Sequence, residues 1–313
     1  MMPFKCLPCG TPVVVWGQAC ERRAAEHANG ADAPLNCGDA RLIRTVRRPK
    51  LMRMVDTERL LLGGERSLRS TAPIYRLDHR DRLELFGTGV FVRHQSQHFV
   101  ISAAHVLSEL RERELRIGGE SHVIPLTGPF FHSGAVGEVS FVDDAFDIAF
   151  VPLSELQVSE LGQPTFVSTD DIDLGSTARA PFFTTGFIAS DYTMVGPTQP
   201  VQVEATTLVA MPAPAEKYLE RGVSENTHLL LSFDRLKTHS GEGQAATPKI
   251  NGMSGCGVWR VGSTEDALTA ILIEHHQQQG KFIVSTRVTT IIQGMSDYVA
   301  GRLQVKRGVQ PGT

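Results

Sequence analysis

Over the middle of the chain, short apolar runs alternate with polar positions, and apolar patterns with a helical period are scarce. Gly, Pro and Asp separate these β-rich runs, which is typical of an all-β sandwich or barrel. The clearest case predicts two strands, Leu83–Val92 and Phe99–Ser102, joined by a polar turn at His94–His98. By contrast, Thr289–Val299 is amphipathic, and Thr238–Lys249, rich in Gly, Thr and Ser, is predicted to be a mobile loop.

A histidine follows the second of these strands. The motif SAAHVL places His105 after two small residues, Ala103 and Ala104, which let its ring lie against the backbone in a confined place. A lone histidine after a strand is more often structural than catalytic. It therefore counts as a functional candidate only if partners for it exist elsewhere in the chain.

A candidate partner lies at the mouth of another predicted strand. In DDAFDIAFVPL the alternation predicts a buried strand into which Asp147 leads. An aspartate held there can stay ionised, fix the tautomer of a histidine and stabilise its charged form. Asp143 and Asp144 are competitors, but they fall in the polar turn before the strand, where Asp is a routine turn residue. Asp147 is therefore preferred.

Three glycines surround a single serine in NGMSGCGVW, residues Asn251–Trp259. This stretch is either a tight turn joining two strands or a catalytic turn whose backbone N–H groups point at a substrate oxygen. An α/β-hydrolase elbow does not fit, because Cys256 replaces the last glycine of G-x-S-x-G. The α/β-hydrolase fold also needs its triad in the order Ser, Asp, His. Only Ser254, Asp266 and His275 follow that order here, and they span too little chain for that fold.

Together these motifs resemble the trypsin/chymotrypsin-type serine proteases, particularly their disulfide-free bacterial branch. His105, Asp147 and Ser254 follow that family's order of His, Asp and Ser, within SAAH, DIAF and GMSGCGV. The STRV of Ser285–Val288 is similar to the end of the family strand that leads into the C-terminal helix. The resemblance covers about residues 85–295. It implies an all-β fold of two six-stranded antiparallel β-barrels (chymotrypsin-like) with a short C-terminal helix.

The resemblance also implies an activity. The chain would be a serine endopeptidase that cleaves a protein or peptide substrate through an acyl-enzyme intermediate, without a cofactor. Ser254 is then the nucleophile, His105 the base and later the acid, and Asp147 the group that orients the histidine. Backbone N–H groups of Gly252 and Ser254 form the oxyanion hole, and Gly252 and Gly255 suit its unusual backbone angles. A catalytically silent peptide-binding protein and a latent protease on the same fold stay open as alternatives.

The predicted organisation is a leader, a peptidase domain and a tail. Residues 1–70 are expected to form a poorly ordered leader or N-terminal extension. The peptidase domain is predicted over 71–300, with a first barrel at about 72–160, a second barrel at about 175–287, a C-terminal helix at about 289–299, and a tail at 301–313.

Substrate preference depends on two positions. Pro248, six residues before the serine, stands where trypsin-like enzymes carry an acidic residue, so a preference for Lys or Arg is not supported. His275 follows the strand Thr269–Glu274, which is expected to form one pocket wall. Glutamyl endopeptidases and picornavirus-type proteases use a histidine in this pocket to bind Glu or Gln. The alternative for HHQQQG is a solvated turn.

A look-alike activation site precedes the peptidase region. RLLLGGE, residues Arg59–Glu65, is similar to the sites whose cleavage frees an apolar N-terminus in secreted members. In those enzymes the freed amine pairs with an Asp directly before the catalytic serine, but Met253 stands there instead. A buried ammonium without a counter-charge is costly. Activation by this cleavage is therefore not expected.

Four of the five cysteines lie in the first seventy residues. The CxxC pair Cys6 and Cys9 can supply two zinc ligands, but Cys20 and Cys37 are isolated, so no metal site is predicted. Proline and glycine break the apolar run of a secretory signal, which argues against export. The protease region holds only Cys256 and forms no internal disulfide, so a reducing, cytoplasmic location is expected.

Composition narrows the range of partners. The 313 residues are 41% hydrophobic and 21% charged, as in an ordinary globular protein. A formal net charge of −3 at pH 7 gives no electrostatic footprint for nucleic acid. No run approaches the roughly 18 apolar residues that span a bilayer. Neither nucleic acid nor membrane is an expected partner, and the oligomeric state is left open.

Overall fold

The protein is described by a computed structural model, which covers most of the chain from residue 65 to residue 303 and two short upstream strands. The described residues are 13–17, 43–45, 65–80, 82–111, 113–119, 122–133, 144–173, 180–189, 202–233, 238–240, 243–245, 249–262, 266–276 and 282–303.

Most of the regular elements are strands. In chain order they are β1 (Val13–Gly17), β2 (Ile43–Thr45), β3 (Thr71–Leu77), β4 (Leu83–His94), β5 (Gln97–Ala103), β6 (Leu115–Gly118), β7 (Val123–Pro125), β8 (Phe131–His132), β9 (Ile148–Leu153), β10 (Val167–Ser168), β11 (Phe182–Phe187), β12 (Gln202–Pro212), β13 (His228–Ser232), β14 (Thr238–Ser240), β15 (Gly243–Ala245), β16 (Gly257–Arg260), β17 (Ala267–His276) and β18 (Phe282–Arg287). The helices are short: α1 (65–69), α2 (Ala104–Leu107), α3 (Glu155–Glu160), α4 (Ala215–Arg221) and α5 (Thr289–Val299), with 3-10 turns at Ser108–Arg111 and Thr169–Asp171.

The C-terminal sheet, which we call the second sheet, contains a closed barrel. Its strands follow the order β11, β16, β17, β18, β13 and β12, and β12 pairs back with β11. All six pairings are antiparallel. Strands β1, β2, β14 and β15 extend this sheet beyond β12. A closed ring has no exposed strand edge, which is how antiparallel barrels avoid edge-to-edge association.

The N-terminal sheet, which we call the first sheet, has the order β7, β6, β3, β4, β5, β9 and β8, and β10 pairs with β4. Among the described residues no pairing joins β7 to β8. The prediction that the fold is mostly β is confirmed, and so is one six-stranded antiparallel barrel. The predicted first barrel, at about 72–160, is not closed by the strand pairings of the described residues.

Strand β9 shows why the first sheet is buried on both faces. Its side chains alternate between two apolar clusters. Ala149, Val151 and Leu153 belong to the cluster on one face of the first sheet, whereas Ile148 and Phe150 belong to the cluster on the other face. Helix α5 covers that second face, where its Tyr298 ring meets the Phe150 ring edge-on, with centroids 6.4 Å apart. Because each face has its own apolar partner, the run is almost continuously hydrophobic.

Several predicted boundaries can be compared with the structure. Helix α5 has the bounds of the predicted amphipathic segment, whereas the predicted loop Thr238–Lys249 contains β14 and β15. The turn between β4 and β5 is tighter than predicted, and Gln95 there has a φ of 54°. Helix α1 lies inside the predicted leader, where the buried Ser67 hydroxyl contacts the Thr185 hydroxyl of β11 at 3.0 Å. No helix in the described part of the chain is long and apolar enough to cross a membrane.

Candidate active site

The chain turns from β5 into α2 directly before His105. Ala103 and Ala104 are fully buried, and the Ala104 N–H donates to the backbone oxygen of Asp147 at 2.9 Å. The His105 side chain, by contrast, is 41% exposed. The small residues thus bring the backbone of the turn against the Asp147 segment and leave the imidazole accessible.

The Asp147 carboxylate holds His105 at two points. Its Oδ2 lies 2.6 Å from the ring Nδ1, and its Oδ1 accepts the backbone N–H of His105 at 2.8 Å. A carboxylate only accepts, so Nδ1 carries the hydrogen and, in the neutral ring, Nε2 keeps its lone pair. This arrangement leaves Nε2 as the atom that can take a proton.

Asp147 adopts an unusual backbone conformation for a residue with a side chain. Its φ is 42°, in the left-handed region. Such conformations persist where surrounding contacts impose them, and they cluster at functional sites. Asp144 differs, because its carboxylate accepts the Phe146 N–H and the Ser133 hydroxyl and so acts as a turn residue. Asp143 lies outside the described residues.

The turn that carries Ser254 is shaped by two glycines in the left-handed region. Gly252 has a φ of 94° and Gly255 a φ of 90°. A Cβ at Gly252 would lie 2.8 Å from the Phe187 carbonyl oxygen, and a Cβ at Gly255 would overlap the Thr88 oxygen and the Ser102 hydroxyl. Both positions therefore combine a backbone angle that favours glycine with a close approach of neighbouring atoms.

Two N–H groups of this turn are fixed in direction but have no acceptor among the described residues: those of Gly252 and Ser254. The carbonyl of the peptide before Gly252 accepts the Ala189 N–H at 2.7 Å, and the carbonyl of the peptide before Ser254 accepts the Cys256 N–H at 3.0 Å. In a trans peptide the N–H points opposite to the C=O. Both donors are thus held available, as an oxyanion hole requires.

Thr88, on β4 of the first sheet, anchors this turn. Its backbone N–H donates to the Ser254 carbonyl at 2.8 Å, and its hydroxyl donates to the Gly252 carbonyl at 2.7 Å. Thr88 is completely buried. The sequence-based reasoning missed this residue, and the only local signal is the pair of flanking glycines, Gly87 and Gly89, which in a strand are typical of a bulge or bend.

The histidine turn and the serine turn both lie close to Gly87 on β4. A Cβ at Gly87 would lie 2.6 Å from the Val106 side chain, next to His105, and 3.3 Å from the Ser254 carbonyl oxygen. The structure thus brings both turns to one place between the sheets. Among the described residues the Ser254 hydroxyl has no hydrogen-bond partner within 3.5 Å, and the His105 ring nitrogens bond only to Asp147.

Two residues close to Ser254 lie in the core of the barrel of the second sheet. Met253 and Cys256 are fully buried in its core. Burial raises the pKa of the Cys256 thiol to about 12, and its sulfur lies 2.9 Å from the Thr184 hydroxyl oxygen. This thiol is therefore neutral at ordinary pH and unsuited to be a nucleophile. The apolar Met253 side chain occupies the position directly before the serine.

Other predicted site residues fall outside what the structure describes. Pro248 lies outside the described residues, and so do the zinc candidates Cys6, Cys9, Cys20 and Cys37. His275 is on β17, where its backbone pairs with Ile283, but its side chain is not among those described. Within the described part of the chain, no group of three or more His, Cys, Asp or Glu residues is placed to hold a metal ion.

No protein-family model and no curated protein matches this chain. A functional assignment therefore depends on the geometry of the His105, Asp147 and Ser254 region.

Proposed function

We propose that this chain is a serine endopeptidase of the trypsin/chymotrypsin type, with a double β-barrel and a triad of His105, Asp147 and Ser254. The observation that carries the proposal is the two-point contact between Asp147 and His105, at 2.6 and 2.8 Å. A structural ion pair needs no such control of the ring tautomer. A general base does, because it must present a free nitrogen lone pair.

The described groups support each step of acyl transfer. Ser254 Oγ attacks the acyl carbon of the substrate while His105 Nε2 takes the hydroxyl proton, and the oxyanion is bound by the N–H groups of Gly252 and Ser254. His105 then gives the proton to the leaving amine, which breaks the peptide bond and leaves an acyl-enzyme. Water, deprotonated by the same nitrogen, then attacks the ester carbon. The bond between this carbon and Ser254 Oγ breaks, His105 returns the proton to Oγ, and the carboxylic acid product leaves.

The substrate is a protein or peptide, and the reaction needs no cofactor. Pro248 gives the primary pocket no acidic group, which argues against a preference for Lys or Arg. Cys256, a free thiol, is the only cysteine of the protease region. This suits a reducing compartment, and we place the protein in the cytoplasm.

Fluorophosphonate labelling tests the proposal directly, because the probe reacts only with an activated serine. We expect wild-type protein to be labelled and Ser254→Ala not to be. Ser154→Ala, which removes the N-cap of α3 instead, is a matched control and should be labelled like wild type. If folded wild-type protein is not labelled under any condition tested, the proposal that the chain is an enzyme is contradicted.

A latent protease is the second candidate, and one observation favours it. The Ser254 hydroxyl makes no hydrogen bond to a described residue, so the relay from Ser254 to His105 is incomplete in this state. Catalytic hydrogen bonds often tighten only when substrate binds. Protein that is inert alone but labelled at Ser254 after addition of cell lysate would favour latency. Peptide binding with no labelling in lysate would favour the silent binding protein.

A further inference from the structure

The segment directly before Asp147 belongs to the first sheet but is held by a histidine of the second. His228 begins β13 and is only 2% exposed. Its Nε2 lies 2.8 Å from the backbone oxygen of Ala145. Its ring also stacks on the Phe146 ring, with centroids 5.7 Å apart and an interplanar angle of 17°. One buried side chain thus contacts both residues that precede Asp147.

The hydrogen bond from His228 has a defined direction. A carbonyl oxygen only accepts, so Nε2 must carry the hydrogen. The other ring nitrogen, Nδ1, lies 2.9 Å from the Thr227 hydroxyl. Burial lowers the pKa of His228, which favours the neutral ring. Both ring nitrogens therefore have a partner, and the ring orientation is fixed from both ends.

A second residue of the same sheet holds the next carbonyl. The Thr286 hydroxyl, on β18, donates to the Phe146 oxygen. Two consecutive carbonyls before Asp147 are therefore bonded to side chains of the second sheet. These bonds fix the peptide planes that lead into Asp147, whose φ of 42° is rarely adopted without external contacts.

We infer that His228 is a positioning residue which, together with Thr286, holds the backbone before Asp147 so that its carboxylate meets His105. The second sheet, which carries Ser254, thereby also sets the orientation of the Asp147 carboxylate on the first sheet. The consequence for catalysis rests on the proposed function, whereas the positioning itself can be measured without it.

The first experiment uses proton NMR of protein with ¹⁵N-labelled histidine. The Nδ1 proton of His105, in its 2.6 Å contact with Asp147, should give a downfield resonance, assigned by its loss in His105→Ala. In His228→Phe, which keeps a ring but lacks the donor, we expect this resonance to shift or broaden. His228→Gln keeps a donor near the Nε2 position and should restore it.

A matched control is His94→Phe. His94 is also buried, but its ring bonds to Thr169 and Ser296 rather than to the Asp147 segment. This variant should lose stability yet leave the His105 resonance unchanged. If His228→Phe does not fold, Thr286→Val removes the other donor at nearly constant shape and should shift the same resonance.

The second experiment is the rate of fluorophosphonate labelling. We expect about a tenfold loss in His228→Phe, since one buried acceptor is left unpaired, and near wild-type rates in His228→Gln. An unchanged His105 resonance in both His228→Phe and Thr286→Val would overturn the inference, as would His228→Gln behaving like His228→Phe. Wild-type protein that shows the resonance but is never labelled would instead overturn the proposed function alone.

Discussion

The His105–Asp147 pair and the turn around Ser254 are built in different ways. His105 and Asp147 are oriented by side-chain hydrogen bonds, with the carboxylate reaching both the ring and the backbone of one residue. The turn around Ser254 is oriented by backbone bonds and by glycines in the left-handed region. A pair held by side-chain hydrogen bonds is expected to be sensitive to a change of functional group. A turn held by its backbone is expected to be sensitive to added side-chain volume or to a change in φ.

The two regions also depend on each other. Thr88 of the first sheet holds two carbonyls of the serine turn, and Thr286 and His228 of the second sheet hold two carbonyls before Asp147. Each half of the site is therefore completed by the opposite sheet. The interface between the sheets therefore contributes to the candidate site, and a change on either side of it is expected to affect both the His105–Asp147 pair and the serine turn.

The largest effect is expected from changing the carboxylate. Asp147→Asn puts an amide where Nδ1 needs an acceptor, which favours the wrong histidine tautomer, and should lower kcat on a peptide substrate by about 10⁴-fold. Asp144→Asn is the control, since Asn also accepts in such a turn, and it should stay near wild type. Comparable rates for the two variants would mean that Asp147 does not orient the base.

The turn around Ser254 should lose stability when a side chain is added at one of its glycines. Gly255→Ala introduces a Cβ that overlaps the Thr88 oxygen and the Ser102 hydroxyl, at a φ of 90°. We expect a loss of unfolding free energy above the roughly 1–2 kcal/mol of left-handed backbone strain alone. Gly222→Ala, at a φ of 70° with nothing within 4 Å, isolates that strain. Chemical denaturation of both variants makes the comparison, and equal losses would contradict it.

A smaller effect is expected at the anchor of the serine turn. Thr88→Val keeps the shape but removes the hydroxyl that donates to Gly252, leaving a buried carbonyl without its donor. Such a loss is worth about 1–3 kcal/mol, so labelling of Ser254 should slow by about tenfold. Thr88→Ser keeps the hydroxyl and should retain most of the rate. Equal rates for the Val and Ser variants would show that this bond does not hold the turn.

The smallest effect concerns pH and stability. Burial lowers the pKa of His94 and of His228 in the folded protein. Below the ordinary histidine pKa of about 6.5, the unfolded chain therefore binds more protons than the folded one, so stability falls as pH falls. Each histidine contributes at most about 1.4 kcal/mol per pH unit. Urea unfolding at pH 7 and pH 5.5 should show a weaker pH dependence in His94→Gln. The same pH dependence in His94→Gln as in the wild type would show that His94 does not contribute to the loss of stability at low pH.

The sequence by itself predicted the mostly β fold and the bounds of α5. Strand and helix periods are local properties, and β9 and α5 each carry them within a single run of residues. The candidates His105, Asp147 and Ser254 were also found from local motifs, because each stands beside small residues or at a strand end. That they form a catalytic triad stays a prediction.

Only the tertiary structure decided which residues support these candidates. Thr88 and Gly252 are 164 positions apart, and His228 and Ala145 are 83 apart. No local pattern marks such pairs, since a buried threonine or histidine looks the same in sequence whatever it bonds. The short strands β14 and β15 were missed for the same reason: β14 pairs with β1, more than two hundred residues earlier. Contacts between distant segments are selected by the packing of the whole fold, and a single sequence does not display them.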